Sequence, residues 1–457
     1  MSYGFLISRM ADASKLVEEL GNYYEYVSIL GSYVHNKRIV SATTETSIDD
    51  LDSELGFVIK VYQNGGYSEY SCNDIRGLDI AKVRRKLAIS IKMEEPLPIL
   101  KEEEMVKSFK RQDQQPLSDG KILKILQKIR KKAESTDKIV NVYTAFVKRE
   151  TAKIFVSKKR KLDQQYDWTN GMLMVVSKDG NNIQQNYTVE GDTDSIACLN
   201  KLKDLVDNTT EIAVKLLDAK AIEPGVYDVI TDQSISGLIA HEAFGHGVEM
   251  DMFVKGRAKA SEYVGKRVAS DLVNMYDGAA SCISAASYFF DDDGVLAHNT
   301  QIIKDGILQN GISDALSALQ LGKEPSGNGR RESYSHKAYS RMTNTFFKEG
   351  KDKLADMIKS IDHGYYLCET SNGMEDPKNW QIQCTASYGM EIVDGKFTGR
   401  IVAPVVISGS VLDLLNSISM VSDELKVTGS GMCGKGHKEW VYVSDGGPHL
   451  KVRAKLG

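Results

Sequence analysis

The chain has 457 residues, more than one hydrophobic core usually serves, so we expect two or three domains. Its apolar share of 42% and charged share of 26% are typical of a soluble globular protein, and a formal net charge of −4 gives no overall attraction to nucleic acid or membranes. No run of 18 apolar residues is present and the six cysteines contain no CxxC pair, so we predict a cytoplasmic protein without a membrane span or disulfide framework.

The first 222 residues read as helices and hairpins. Ser118 or Asp119 can cap a helix whose apolar residues recur at helical spacing, namely Ile122, Ile125, Leu126 and Ile129. A second helical stretch runs from about 196 to 217, and between the two the apolar runs 173–176 and 184–189 flank Asp179-Gly180, as in a hairpin. We therefore predict an N-terminal α+β region over 1–222, which a further boundary near 105–117 could divide.

One stretch of this region is strongly basic. Residues 107–161 hold 17 lysines and arginines against 5 acidic residues. Aromatic residues are few in this stretch and apolar residues recur at helix and strand spacing, which favours a solvated protein face over a nucleic-acid surface. No nucleic-acid partner is predicted.

The second half, 223–457, is predicted to be rich in antiparallel sheet. It holds 27 of the 38 glycines, and Asp293-Gly294, Asp305-Gly306 and Asp394-Gly395 each separate two alternating apolar runs, as hairpin turns do. The triplet Asp291-Asp292-Asp293 lacks the spacing of a calcium loop, so we interpret it as the lip of a turn. Together the two halves predict an α+β fold.

A hexapeptide near the start of this half carries the strongest chemical signal: His241-Glu242-Ala243-Phe244-Gly245-His246. It ends an apolar helix that Ser234 or Ser236 can cap. In the HExxH pattern of zinc peptidases the histidines are four residues apart and share one helix face, but here they are five apart, roughly 140° around a regular helix. If both bind one metal ion, the helix must contain a widened π-type turn or a break, which Gly245 and Gly247 permit.

Two readings compete for this segment. The histidines could be ordinary helix residues with Glu242 as a solvated charge between them, yet two histidines flanking a glutamate favour a metal site. A catalytic zinc ion usually has three protein ligands, so a third must come from elsewhere. Cys433 is the best candidate, because glycines surround it and Lys435 could favour its thiolate. Its rivals are Glu249, Asp251, His437, Cys368 and Cys384.

Four segments make the chain resemble the TldD/PmbA family, and within it the TldD-type subunit that carries the HExxxH motif. They are HEAFGHGVEMD at 241–251, RRESYSHKAYSRMTNT at 330–345, ISGSVLDLLNSISMVSDEL at 407–425 and GMCGKGHKEW at 431–440. Their order and spacing match the family through the C-terminal half. The N-terminal half is similar only in its length and in a helix followed by hairpins.

The resemblance implies a zinc-dependent peptidase of the bacterial and archaeal cytosol. It implies that His241, His246 and Cys433 hold the metal and that Glu242 acts as general base. The expected substrates are unfolded or unstructured polypeptides or precursor peptides, and the expected assembly is a hetero-oligomer with a PmbA-type subunit or a homodimer. A sheet-rich domain beside the metal also suggests that an extended peptide adds as a further strand.

Two other functions stay open at this point. A non-catalytic regulatory or partner protein would use zinc structurally and would show a fourth protein ligand in place of water. Deformylation also uses two histidines, a cysteine and a glutamate, but with four-residue histidine spacing and a far smaller domain. For the charge that develops on a scissile carbonyl oxygen, Tyr334, His336 and Arg341 are candidate donors, each with a structural role as the alternative.

Overall fold

The structure is a computed structural model that describes residues 3–51, 53–87, 96–436 and 438–457. Its helices and strands confirm the predicted α+β fold. The helices of the first half are α1 (Tyr3–Ser8), α2 (Met10–Leu20), α3 (Ile80–Lys86), α4 (Asp119–Ala133), α5 (Ser195–Asp204) and α6 (Val206–Lys215). Its strands are β1 (Tyr26–Ala42), β2 (Thr46–Asp50), β3 (Glu54–Gln63), β4 (Gly66–Cys72), β5 (Met105–Arg111), β6 (Ile139–Ser157), β7 (Arg160–Asp179) and β8 (Asn182–Asp192).

In the described part of the first half, these eight strands form a single sheet. Its order is β4-β3-β1-β6-β7-β5, with β2 beside β1 and β8 beside β7. The pairs are antiparallel except for β5 and β7, which run parallel. The predicted hairpin at Asp179-Gly180 is confirmed, since it joins β7 to β8.

Both faces of this sheet are covered by other parts of the chain. Alternate residues of each strand point to opposite faces, so each strand contributes to both contacts. On one face Ile29 of β1 and Ile154 of β6 pack in a cluster with α2. The helix α4 covers the same face farther along β1, at Ile39. On the opposite face Phe155 packs against Phe290 of the second half, so the sheet docks onto the rest of the chain.

The predicted helices of the first half are present, with one interruption. The helix α4 begins after Ser118. Of the four predicted apolar residues, Ile122, Leu126 and Ile129 are buried, and Ile125 is half-buried against the same core. The stretch predicted as one helix over 196–217 is two helices, because α5 ends before Leu205 and α6 begins after it.

The second half contains shorter elements. Its helices are α7 (Gln233–Ile239), α8 (Met250–Val254), α9 (Ala315–Gln320), α10 (Leu354–Lys359) and α11 (Val411–Asn416). Its strands are β9 (Gly225–Thr231), β10 (Met275–Asp277), β11 (Thr300–Lys304), β12 (Ile307–Leu308), β13 (Gly329–Arg330), β14 (Tyr339–Ser340), β15 (Asn344–Phe347), β16 (His363–Asp376), β17 (Gln381–Val393), β18 (Lys396–Val402), β19 (Val405–Ser410), β20 (Met420–Val421), β21 (Lys426–Lys435), β22 (Lys438–Gly447) and β23 (Leu450–Leu456).

Two sheets of this half enclose one large apolar core. In the first, the strands β16-β9-β23-β19-β17 close into a ring, because β17 also pairs with β16. The second has the order β12-β11-β10-β15-β22-β21. The helix α7 lies between them and contacts both β16 and β22.

The Asp-Gly turns are partly as predicted. Asp305-Gly306 joins β11 to β12 and Asp394-Gly395 joins β17 to β18, so both hairpins are confirmed. At Asp293-Gly294 the chain does turn back on itself, but no full strands form in this described stretch. An antiparallel bridge between Phe290 and Leu296 and two backbone hydrogen bonds, Asp291 N–H to Val295 O and Ala297 N–H to Phe289 O, join its flanks.

Asp291, Asp292 and Asp293 do form a turn, but a buried one, with exposures of 1%, 5% and 4%. This turn meets the sheet of the first half, where Lys60 pairs with Asp293 and Lys153 pairs with Asp292. The predicted turn is therefore present, and two of its three aspartates pair with cations of the neighbouring sheet.

Two simple properties complete the description. The six cysteines, all of which lie within the described residues, are free thiols. None of the helices in the described ranges is both long and apolar enough to cross a membrane.

Candidate metal centre

The chain enters the centre through a capped helix. Strand β9 ends at Thr231, and the Asp232 carboxylate then accepts hydrogen bonds from the Ile235 amide at 2.8 Å and from the Ser234 hydroxyl at 3.0 Å. Asp232 is thus the N-cap of α7, and the prediction of Ser234 or Ser236 as the cap is wrong. Ser236 is buried and its hydroxyl lies 2.7 Å from the hydroxyl of Thr231.

The helix α7 is buried on all sides, as an apolar helix in a protein core should be. One side passes unusually close to β22: a Cβ on Gly237 would lie 2.5 Å from the backbone nitrogen of Gly446. Only glycine fits at this crossing, because backbone atoms cannot turn aside as a side chain can. The position of α7 relative to β22 is thereby fixed, and this also fixes where the residues after α7 begin.

The next turn is the distorted one that the histidine spacing demands. Residues Ala240–Gly245 form a π-helical turn, followed by a 3₁₀ turn at His246–Val248. The prediction that the helix cannot be regular between His241 and His246 is confirmed. Because the wider turn holds more residues, the two imidazole rings lie on the same side, with centroids 5.1 Å apart.

Cys433 meets these histidines from a different sheet. It lies on β21, the last strand of the six-stranded sheet, and its Sγ is 3.3 Å from Nε2 of His246. One ligand atom from each of His241, His246 and Cys433 lies within 4.8 Å of the other two. The structure therefore brings together the three side chains that the sequence and the resemblance singled out.

The rival ligands are placed elsewhere or engaged otherwise. Cys368 and Cys384 are buried on β16 and β17 and are not part of the group. Glu249 and Asp251 form ion pairs with Lys435 at 2.8 and 2.6 Å. His437 lies outside the described residues.

The electrostatics of the centre favour a thiolate. Burial by itself would raise the pKa of the Cys433 thiol, but the imidazoles of His246 and His241 hold it well below its ordinary value. Burial would lower the pKa of both histidines, and the Cys433 sulfur raises it instead. Lys435 does not contribute as expected, since its ammonium group binds Glu249, Asp251 and the carbonyl of Ser340.

The donor set suits a metal ion. Two imidazole nitrogens and one thiolate sulfur are a set that zinc prefers. In addition, Nδ1 of His241 is buried without a hydrogen-bond partner among the residues described, although a buried polar atom normally has one. A bound cation would account for the convergence of these groups better than packing does.

Glu242 lies beside the donors without joining them. It is half-buried, and it contacts β16, where a Cβ on Gly373 would lie 2.5 Å from its Cγ. Glycine at 373 thus leaves the room that the Glu242 side chain occupies. The carboxylate is not among the clustered ligand atoms.

The three candidate oxyanion donors are engaged in structural contacts. The guanidinium of Arg341 donates to the carbonyls of Cys433, at 2.8 Å, and Glu439. The Tyr334 hydroxyl donates to Asn73 at 2.9 Å, and Nδ1 of His336 lies 2.7 Å from the Ser333 hydroxyl. For Arg341, which is 1% exposed, the structural alternative is the one that the geometry supports.

Two carboxyl groups near the centre were not predicted. Burial raises the pKa of Asp445, on β22, to about 6, and raises the pKa of Glu375, on β16, well above its usual value. Glu375 packs where a Cβ on Gly247 would be, 2.8 Å from its Oε1. An acidic residue inside a strand is the sequence signal that could have found them, but Asp445 precedes two glycines and reads as a turn.

A second group of potential ligands lies farther out. Ligand atoms of Glu332, His336 and Glu439 are within 4.8 Å of one another, but Glu332 is exposed and the other two are half-buried. Of the two groups found among the described residues, the one at the π-turn is the more enclosed.

Two strand edges flank the π-turn. The strand β21 is the end of its sheet and pairs, within the described residues, with β22 alone. Residues 370–376 of β16 pair on one side with β17, and the recorded pairing of β16 with β9 covers only 364–367. Unpaired edges of this kind can bind an extended peptide through its backbone.

Known proteins are similar to this chain in sequence and in fold. The sequence pattern of the PmbA/TldA metallopeptidase C-terminal domain matches residues 224–455. A protein of Methanothermobacter thermautotrophicus named as a metalloprotease is 31% identical over 324 residues, which cover 70% of each chain. A Saccharolobus solfataricus protein named as a zinc metalloprotease TldD homolog is 30% identical over 253 residues, 55% of this chain and 56% of the relative.

Solved structures share the fold at lower identity. TldE from Thermococcus kodakarensis superposes with a TM-score of 0.75 at 18% identity, over 98% of this chain and 100% of that one. A Thermotoga maritima protein, whose name refers to a modulator of a DNA gyrase, gives a TM-score of 0.80 at 18% identity, over 99% and 100% of the two chains. At these identities the likeness concerns the fold alone.

Proposed function

Since this chain belongs to the TldD/PmbA family of metallopeptidases, we propose that it is a zinc-dependent peptidase that hydrolyses unfolded or unstructured polypeptides or precursor peptides. The observation that carries the proposal is the meeting of His241, His246 and Cys433 at a π-helical turn. The π-helical turn brings both histidines to one side of the helix, as a shared ion requires.

The residues of the centre have separate roles in this proposal. His241, His246 and Cys433 hold the ion. When bound, zinc supplies Lewis-acid polarisation of the scissile carbonyl and lowers the pKa of water toward about 7. Glu242, half-buried beside the donors, takes a proton from the attacking water and passes it to the leaving amine.

The substrate class follows from the strand edges. An extended peptide could pair with β21 or with residues 370–376 of β16, next to Glu242. Pairing of this kind reads the peptide backbone more than its side chains, and a folded protein does not offer a free extended strand. Unstructured segments are therefore the substrates that suit the centre.

A non-catalytic zinc protein is the alternative function. A structural zinc site normally has four protein ligands, whereas this cluster holds three within the described residues. We therefore favour the peptidase. For assembly we propose a partner with the fold of TldE, or a second copy of this chain, and for location the cytoplasm, where six unpaired thiols persist.

Metal analysis and proteolysis of casein, an unstructured protein, test the proposal together. The purified chain should contain about one zinc ion per molecule, as expected for a single site of this type. Its proteolytic activity should disappear with a chelator and return with zinc. Glu242→Gln should retain the zinc and lose activity by ~10²–10⁴-fold, because the variant keeps the ligands and loses the base.

Two results would contradict parts of this proposal. Zinc without any cleavage by the wild-type chain, alone or with its partner, would favour the non-catalytic protein. A Glu242→Gln variant with more than half of the wild-type activity would remove Glu242 from the reaction.

A further inference from the structure

The two nitrogens of His246 face different groups. Nε2 lies 3.3 Å from Sγ of Cys433, on the side where the three donors converge. Nδ1 lies 3.6 Å from Oε2 of Glu249, three residues farther along the chain. A histidine that binds a metal through one nitrogen usually donates its other N–H to a carboxylate, a carbonyl or water, which fixes the tautomer and the ring orientation. Glu249 stands in that place.

Glu249 is fixed by two cations rather than by solvent. It is 1% exposed, its Oε2 accepts from the Lys435 ammonium group at 2.8 Å, and its Oε1 lies 3.4 Å from Nε of Arg341. A buried carboxyl between two cations is matched to its ionised form, and an ionised carboxylate can accept a hydrogen bond from an imidazole N–H.

The same two cations reach the strand that carries the third donor. Arg341 donates to the backbone carbonyl of Cys433 at 2.8 Å, and Lys435 lies two residues beyond Cys433 on β21. Glu249 is thus in contact with the imidazole of one proposed ligand and, through Arg341 and Lys435, with the backbone that positions another. A change at Glu249 should alter the relation between His246 and Cys433.

We infer that Glu249 is a positioning residue, which orients His246 through Nδ1 and ties β21 to the segment after the π-turn, so that nitrogen and sulfur are held ready for one ion. This inference rests on the proposed function, because it presupposes the metal. Glu249 is acidic and near the centre but is not among the clustered ligand atoms: its Oε2 binds Lys435, and its Oε1, which has no hydrogen-bond partner among the described residues, lies beside Nε of Arg341.

Asp251 provides a matched control. It is also buried, at 8% exposure, and it accepts from the same ammonium group of Lys435, at 2.6 Å. Its recorded polar contacts are Lys435 and Lys255, not His246. Asp251→Asn therefore removes one charge from the same network while leaving the imidazole contact intact.

The experiment compares Glu249→Gln, Asp251→Asn and the wild-type full chain. The readouts are the zinc dissociation constant, measured by competition with a chelator dye, and the absorption spectrum of the cobalt-substituted protein, which reports ligand geometry. For Glu249→Gln we expect zinc binding weakened about 10–100-fold and a changed cobalt spectrum. For Asp251→Asn we expect both to stay as in the wild type.

Each outcome decides the matter. An equal loss of zinc affinity in both variants would mean that the network matters only through Lys435. Unchanged zinc binding in Glu249→Gln would mean that Glu249 does not position the ligand. Either result overturns the inference but leaves the proposed function standing. A wild-type chain that binds no zinc would overturn both.

If Glu249→Gln does not fold, Glu249→Asp replaces it. Aspartate keeps the negative charge between Arg341 and Lys435 but is one methylene shorter and withdraws from His246. We expect a folded protein, with the melting temperature of the metal-free wild type, whose zinc binding is still weakened. Wild-type affinity in Glu249→Asp would show that charge alone is needed and would overturn the positioning role.

Discussion

One of the six thiols differs in chemistry from the other buried ones. The pKa of Cys433 is held low by His246 and His241, whereas burial raises the pKa of the Cys368 and Cys384 thiols well above the usual value. All three side chains are at most 5% exposed, so exposure does not distinguish them. Only a thiol that is readily ionised can bind zinc at neutral pH without a large cost for losing its proton.

Cys433→Ala should therefore reduce zinc content far more than Cys384→Ala or Cys368→Ala. The two control variants remove an equally buried sulfur and measure the effect of cavity formation alone. Zinc content of the purified variants, measured by atomic emission, checks this. The same zinc content in all three would exclude Cys433 as a ligand.

Glu369 is a buried carboxyl with an unusual environment. Its backbone N–H donates to Asp232, the N-cap of α7, at 2.8 Å. Burial, reinforced by the negative charge of Asp232, raises the pKa of Glu369 from 4.5 to about 7. The folded chain therefore keeps this proton at pH values where the unfolded chain has released it.

Glu369→Gln should make the protein more stable at alkaline pH and leave it nearly unchanged in acid. Below about pH 4.5 both states of the wild type hold the proton; as the pH rises to about 7 the unfolded state gains by releasing it, and stability is lost. The glutamine variant escapes a loss of about 3 kcal/mol. The difference in melting temperature between variant and wild type should grow from pH 4.5 to pH 8 in metal-free protein. An equal difference at both pH values would contradict the assignment.

Single residues of the centre differ in how far the sequence could predict them. His241, Glu242 and His246 were found directly, because their spacing is local and the demand for a distorted turn follows from helix geometry alone. From the residues alone Cys433 is one of several candidates, and the family resemblance selects it. The contacts of Glu249 could not be predicted, because Arg341 and Lys435 lie 92 and 186 residues away along the chain.

At the scale of elements, the close crossing of α7 and β22 fixes the position of α7, and the π-turn directly follows this helix. Gly237 approaches the backbone of Gly446 too closely for any side chain. Gly120, which also lies in a helix, has open space where its Cβ would be. Position 237 therefore requires glycine, whereas position 120 has room for a larger residue.

Gly237→Ala should destabilise the fold by about 1–3 kcal/mol, because the added methyl group pushes the helix from the strand. It should also weaken zinc binding, since the displaced helix carries the histidines. Gly120→Ala should be neutral or stabilising by up to about 1 kcal/mol. Urea unfolding measures the free energy of unfolding of both variants. Equal values would mean that α7 can move away from β22 without loss of stability.

Elements were predicted well where a local signal sufficed. The hairpins at Asp179-Gly180, Asp305-Gly306 and Asp394-Gly395 follow from turn chemistry. Asp293-Gly294 carries the same signal, but its flanks form only one bridge with each other and pack by their side chains against another sheet. Tertiary packing, which the local pattern does not contain, made the difference.

At the scale of the whole molecule, buried charges join the two halves. Lys60 of β3 lies 3.2 Å from Glu69 and also pairs with Asp293 of the second half. Arg331 binds Glu69 in return, at 2.9 Å. The cation Lys60 and the Arg331 guanidinium overcome the effect of burial and lower the pKa of Glu69 to about 2. Removing one member leaves another buried charge unpaired.

Lys60→Met should cost about 3–5 kcal/mol of stability, since Asp293 would lose its cation in a buried place. Lys132→Met is the control, because its pair with Asp207 is exposed, at 47% and 76%, and such pairs contribute only about 0–1 kcal/mol. Denaturant unfolding of both variants measures the difference. A loss as small as that of Lys132→Met would mean that the contact between the halves does not depend on this pair.

The positions of the donors along the chain also set an order in time. Cys433 follows His246 by 187 residues. A ribosome that adds roughly 5–20 residues per second completes the two histidines roughly 10–40 s before it makes the cysteine. During that interval the nascent chain has the base and two donors but cannot assemble the centre. If the proposed centre is the one that cuts peptides, the chain cannot cleave its own unfolded segments until Cys433 has been made.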